Sequence, residues 1–210
     1  GARALQHALM DGDVVRRVVA VGRRPLDVRD ERLECRIADF ADASSLAAAL
    51  PDDVDVALCC LGTTMKQAGS KAAFRAVDFD AVLAFGAAAR HKGAQRFVLV
   101  SSLGADARSA SFYLKTKGEV EAALARLGYP QLTILRPSFI DDEGARRDDR
   151  LGERLGLPVA RAVFRVLGPQ RRYAPVTATS IGRAMVRLAF DDATEPVRVV
   201  HSERIHALGD

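Results

Sequence analysis

Residues 96–128 read RFVLVSSLGADARSASFYLKTKGEVEAALARLG, and residues 132–138 follow with LTILRPS. The apolar run Phe97–Val100 has the composition of a strand buried on both faces and closes in Ser101 and Ser102. From Ser111 to Gly128 helix formers dominate, and a second apolar run starts at Leu132. Strand, helix and strand in that order make a β-α-β unit, whose two strands run parallel.

The alternation continues outward in both directions. GARALQHALMDG (1–12) has apolar residues at helical spacing, and VVRRVVAVGR (14–23) predicts a β-branched strand ending in a turn. LECRIADF (33–40) predicts a short strand, ASSLAAALP (43–51) a helix closed by proline, and VDVALCCLG (54–62) a further strand. SKAAFRAVDFDAVLAFGAAARHKG (70–93) predicts one long helix, with Arg90, His91, Lys92 and Gly93 suited to its C-terminal end. PVARAVFRVLG (158–168) and PVTATSIGRAMVRLAFDD (175–192) read as helices, and PVRVVHSERIHALG (196–209) as a strand and a short helix. Apolar strands without period-two alternation imply a parallel sheet covered on both faces, the doubly wound Rossmann-like α/β arrangement. No repeat or linker divides the chain, so 1–210 reads as a single domain, with 141–210 supplying a small substrate-side region. Its charged stretch DDEGARRDDRLGERLG (141–156) suits either a solvated loop or a substrate-side flap.

Bulk properties narrow the function. Lys and Arg number 31 against 27 Asp and Glu, a net charge of +4 without any basic block, so a nucleic-acid arm is not expected. No run of eighteen apolar residues marks a membrane span, and no signal-peptide pattern is visible. The first residue is Gly1 rather than Met, so a lost leader stays open. Cys35, Cys59 and Cys60 lack a metal-ligand spacing, and two of them sit in an apolar run, as buried thiols of a reducing cytosol would. No metal site, no catalytic cysteine and a cytoplasmic location are expected.

Within the opening stretch, Tyr113 and Lys117 are four residues apart and share one helix face, about 6 Å apart along the axis. A free phenol titrates near ~10, and a neighbouring ammonium favours its phenolate. With a serine hydroxyl from the strand end, such a pair can polarise a carbonyl or alcohol oxygen and exchange its proton. The spacing by itself is weak evidence and fits an exposed helix start with a solvated lysine better.

The strand ends converge on one crevice, because ligands of doubly wound sheets bind at the carboxyl ends of the strands. Arg23 and Arg24 end the first complete strand, where an acid would bind a ribose 2′-OH and an arginine a 2′-phosphate. Two guanidinium forks and no acid favour NADP(H) over NAD(H). Asp39 and Phe40 end the next strand, where a carboxylate could take an adenine amino group and the ring could pack beside it; Asp39 could equally cap the following helix. Leu61, Gly62 and Thr63 offer close backbone approach and a hydroxyl, and Pro137 and Ser138 end the strand after Ser102.

The segments CLGTT, RAVDFDAVL, RFVLVSSLGAD, SFYLKTKGEVEAAL and LTILRPS together resemble the atypical short-chain dehydrogenase/reductases, nearest the Tat-interacting-protein-type oxidoreductase branch. The resemblance runs nearly end to end, and it is most specific across Tyr113–Glu121. It implies a Rossmann fold, NADP(H) binding and a Ser-Tyr-Lys set. Ser102 aligns with the oxygen-polarising serine, Tyr113 with the general acid/base, and Lys117 with the lysine that tunes the tyrosine and binds the nicotinamide ribose. Ser101 aligns as a structural hydroxyl or cofactor contact. Lys115 should point away, and Asp78 sits where many relatives have asparagine.

One departure stands out. The family opens with a strand and a G-x-x-G-x-x-G turn that lays the pyrophosphate on a helix N-terminus, whereas Gly1 looks like the last glycine of that motif. The expectation is a chain that begins inside the natural protein, with severely reduced cofactor affinity. The function expected is an NADP(H)-dependent reductase or dehydrogenase of a small carbonyl or alcohol, with a homodimer as a conceivable assembly. The alternatives are an NADP(H)-binding regulator with little turnover and a sugar-nucleotide epimerase, for which the residues after Pro137 leave limited room.

Overall fold

A computed structural model of the chain describes residues 1–141 and 174–209. Of the charged stretch 141–156, read as a loop or a flap, all but Asp141 lies outside the described residues, as does the helix expected at 158–168.

Four strands make the central sheet, all parallel: β3 (Val56–Cys59), β4 (Arg96–Val100), β5 (Gln131–Arg136) and β8 (Val197–His201), in that order. A separate parallel pair joins β1 (Val18–Gly22) to β2 (Leu33–Ile37), with Val18 opposite Leu33. A third, short pair joins β6 (Ile140–Asp141) to β7 (Val176–Thr177).

Successive side chains on a strand point to opposite faces, and here both faces are apolar. Ala57, Cys59, Phe97, Leu99, Leu132 and Ile134 pack against Val82 and Ala89 of α5 (Val82–His91) and Val120 and Leu124 of α6 (Phe112–Ala125). Val98, Leu135 and Val200 face the other way. They meet Ala4 of α1 (Ala2–Met10), Met185 and Leu188 of α7 (Ala178–Phe190) and Ile205 of α8 (Ser202–Gly209). The doubly wound reading therefore holds. The described C-terminal segment contributes first to the second face of the sheet.

Local chemistry sets the boundaries. Asp42 caps α2 (Ala43–Ala49) by accepting from the Ser44 N–H, and Thr177 caps α7 by accepting from the Ser180 N–H, each at 2.9 Å. Gly93, at φ +101°, follows α5 in the left-handed region, as the basic end of that segment predicted.

The long helix expected over 70–93 is interrupted. α4 (Lys71–Arg75) passes into a π turn (Ala76–Ala81) before α5 begins. Such a turn re-aims a side chain, and here it carries Asp78, which is fully buried. A four-residue helix, α3 (Met65–Ala68), was too short to leave a periodic signal.

Candidate active site

α6 starts with Phe112 and Tyr113 and runs under the loop that follows β4. Phe74 of α4, fully buried, holds both rings, at 6.0 Å from Phe112 and 5.6 Å from Tyr113 between centroids. The Tyr113 ring is thus half-buried against a rigid partner. Its hydroxyl has no hydrogen-bond partner among the described residues.

Lys117 follows one turn later, and its environment decides the chemistry. Nζ lies 2.7 Å from Asp78 Oδ1, and the other carboxylate oxygen accepts the Thr63 N–H at 2.8 Å. A Cβ on Gly62 would stand 3.4 Å from Asp78 Oδ1 and 3.6 Å from Lys117 Nζ. The glycine lets the loop after β3 lie directly against the ion pair. Leu61, Gly62, Thr63 and Lys117 are therefore brought together. Asp78, which the resemblance placed where many relatives have asparagine, joins them.

Among the described residues Ser102 Oγ reaches no better acceptor than the Leu103 carbonyl at 3.4 Å, which leaves its O–H available to a ligand. Ser101 behaves differently. It is buried, and its hydroxyl donates to Glu121, whose carboxylate also takes Arg136. Its backbone N–H is also taken, by the Leu135 carbonyl at 2.8 Å. Pro137 is buried and its carbonyl accepts the Leu103 N–H at 2.8 Å. Ser138 donates its N–H to Ser202 Oγ at 2.9 Å and its hydroxyl to the Ala174 carbonyl.

Gly1 precedes α1, and a Cβ there would lie 3.9 Å from Cys60 Cβ, just beyond β3. Arg23 and Arg24 are exposed and have no carboxylate partner among the described residues. Asp39 is exposed, and its carboxylate accepts the Ala41 N–H at 2.9 Å. The capping role considered for it belongs to Asp42. Phe40 turns its ring into the core beside Leu46 and Phe85, so ring contact with an adenine is not available from this position. The apolar packing there outcompetes an exposed stacking surface. Burial pushes the Cys59 thiol up to about 12, which leaves almost no thiolate near neutrality.

A family profile described as NAD(P)H-binding matches residues 1–165. The chain belongs to the NAD(P)H-binding family. It is 32% identical to protein HTATIP2 of Rattus norvegicus over 99% of this chain and 84% of that one. It is 30% identical to the mitochondrial protein FMP52 of Eremothecium gossypii over 99% of this chain and 92% of that one. These relatives agree with the resemblance read from the sequence. The fold matches the solved structure of MoeE5 in complex with UDP-glucose and NAD, with TM-score 0.67, 18% identity, and 97% and 76% of the two chains covered. This NAD(P)H-binding protein has the fold of nucleotide-dependent oxidoreductases. The cytoplasmic expectation is overturned: FMP52 relatives from Eremothecium gossypii, Candida albicans, Debaryomyces hansenii and Kluyveromyces lactis are all named mitochondrial. Buried thiols report shielding from solvent rather than a compartment.

Proposed function

We propose that this NAD(P)H-binding protein is a mitochondrial, NADP(H)-dependent oxidoreductase acting on a carbonyl or alcohol of a small molecule. The observation that carries the reading is the buried Lys117 ammonium, held by Asp78 against the Gly62–Thr63 backbone one helical turn from Tyr113. A cationic group beside a glycine-lined loop, at the carboxyl end of a parallel strand, fits a ribose and its phosphates. Arg23 and Arg24, exposed and without a carboxylate partner among the described residues, fit a 2′-phosphate, since guanidinium forks match phosphate oxygens.

When bound, the nicotinamide supplies or accepts the hydride. The residues of the chain handle the oxygen and its proton. Ser102 Oγ donates to the substrate oxygen and orients it. Tyr113 Oη exchanges the proton with that oxygen, and Lys117 keeps a positive charge on the same helix face.

Turnover of a carbonyl panel with NADPH tests the assignment, and a Tyr113→Phe variant that kept wild-type kcat would refute the role of Tyr113. Tight NADPH binding with no turnover on any carbonyl would instead identify a regulator.

A further inference from the structure

Glu121 stands one turn beyond Lys117 and two beyond Tyr113, so the three residues lie along one stripe of α6. Only 6% of its side chain is exposed. Its carboxylate is fully engaged. Oε1 accepts from the Ser101 hydroxyl and from Arg136 Nε at 3.1 Å, and Oε2 accepts from Arg136 Nη2.

The two donors come from different strands. Ser101 follows β4 and is the immediate neighbour of Ser102; Arg136 closes β5 and precedes Pro137 and Ser138. One carboxylate therefore joins the helix bearing Tyr113 and Lys117 to the ends of two central strands. The loop after Ser102 is gathered into the same cluster. Leu103 N–H donates to the Pro137 carbonyl at 2.8 Å, and Asp106 N–H to the Leu114 carbonyl at 3.2 Å. The Arg108 N–H holds the Asp106 carboxyl below its usual range, with a smaller contribution from the Arg136 charge nearby.

A buried ion pair is a weak source of net stability, because desolvation offsets most of the attraction. A bidentate arginine fork does supply orientation. We infer that Glu121 is a positioning residue, which through Ser101 and Arg136 sets where Ser102 stands relative to the Tyr113–Lys117 stripe. The inference rests on the oxidoreductase reading above, in which Ser102, Tyr113 and Lys117 meet the substrate.

Two variants test it in the full chain. Ser101→Ala deletes one hydrogen bond and leaves the ion pair. The double variant Glu121→Met with Arg136→Met replaces the pair by apolar side chains of similar volume, a change that folded proteins commonly tolerate. In cofactor-free protein, amide exchange at Leu103 and Asp106 should rise about fivefold or more in Ser101→Ala, with a thermal midpoint within a few degrees of wild type. Using a carbonyl that the wild type reduces with NADPH, kcat should fall by about tenfold or more in both variants, with the KM for NADPH changed by less than about twofold. Unchanged exchange, or a kcat within about twofold of wild type, overturns the positioning role alone. A wild type that turns over no carbonyl overturns it together with the oxidoreductase reading.

Discussion

Lys117 Nζ and Asp78 Oδ1 lie 2.7 Å apart, with 7% and 0% of the two side chains exposed. The pair joins α6 to the π turn, and the Thr63 N–H on the second oxygen adds the loop after β3. Three segments far apart in sequence thus meet on one carboxylate. Each partner depends on the other, because a buried charge without its counterion costs more than the pair contributes.

Asp78→Ala should therefore destabilise the protein by about 3–5 kcal/mol, since it strands the Lys117 ammonium in the interior. Asp78→Asn should cost less, because an amide oxygen still accepts the Thr63 N–H. Combining Asp78→Ala with Lys117→Met should recover much of the loss by removing the stranded charge. Urea midpoints of the three proteins measure this; a wild-type midpoint for Asp78→Ala alone would show that the pair holds nothing together.

Two glycines should fail for different reasons. A Cβ on Gly118 would lie 2.2 Å from the Ala107 nitrogen, so Gly118→Ala must push the loop after β4 off α6. The expected cost is at least about 1–3 kcal/mol, with loss of turnover, since that loop starts at Ser102. Gly128 has open space around it but φ of +69°, so Gly128→Ala should cost about 1–2 kcal/mol of backbone strain and leave kcat unchanged. Equal effects of both variants on kcat would contradict the proposed difference.

How much of this could be read beforehand follows from the range of each interaction. The parallel α/β architecture was legible because strand burial and helix period are local patterns, repeated along the chain. The stripe of Tyr113 and Lys117 was legible for the same reason, the two lying four positions apart on one helix. Asp78 beside Lys117 was not, because the contact spans 39 residues and depends on a π turn that no composition announces. Phe40 misled because an aromatic at a strand end looks the same whether it faces a ligand or Phe85. Ser101 and Ser102 are identical letters. The resemblance told them apart by alignment, and the buried Glu121 supplies the physical reason, because it occupies the Ser101 hydroxyl while Ser102 has no comparable partner among the described residues.

Arg23→Ala and Arg24→Ala should each weaken NADPH binding while leaving NADH binding nearly unchanged. A charge-assisted hydrogen bond contributes about 1.5–3 kcal/mol, so the dissociation constant for NADPH should rise by roughly 10- to 100-fold where the guanidinium meets the 2′-phosphate. Fluorescence titration with both nucleotides at one salt concentration provides the comparison. A parallel loss for NADH would assign the arginines to a phosphate that both nucleotides share.

Alkali should unfold the protein through two buried groups. Burial raises the Cys59 thiol from its ordinary 9.0 to about 12. Burial also raises the Tyr129 phenol, whose O–H donates to the Gly86 carbonyl at 2.5 Å. In the unfolded chain both groups regain their ordinary values, so above pH 9.0 the unfolded state binds fewer protons than the folded one. Stability then falls as pH rises, in the direction that proton linkage requires. The contribution of Cys59 is complete below pH 9.0 and is lost progressively up to about 12. That of Tyr129 begins to fall only above its ordinary value of 10.0. Tyr129→Phe should lose about 1 kcal/mol at neutral pH, because the hydrogen bond from the phenol to the Gly86 carbonyl is lost, yet show a shallower decline above pH ~10. Cys59→Val should flatten the decline that starts earlier. Urea midpoints across the alkaline range separate the two, and a Cys59→Val profile parallel to wild type between pH ~9 and ~10 would remove the thiol from this account.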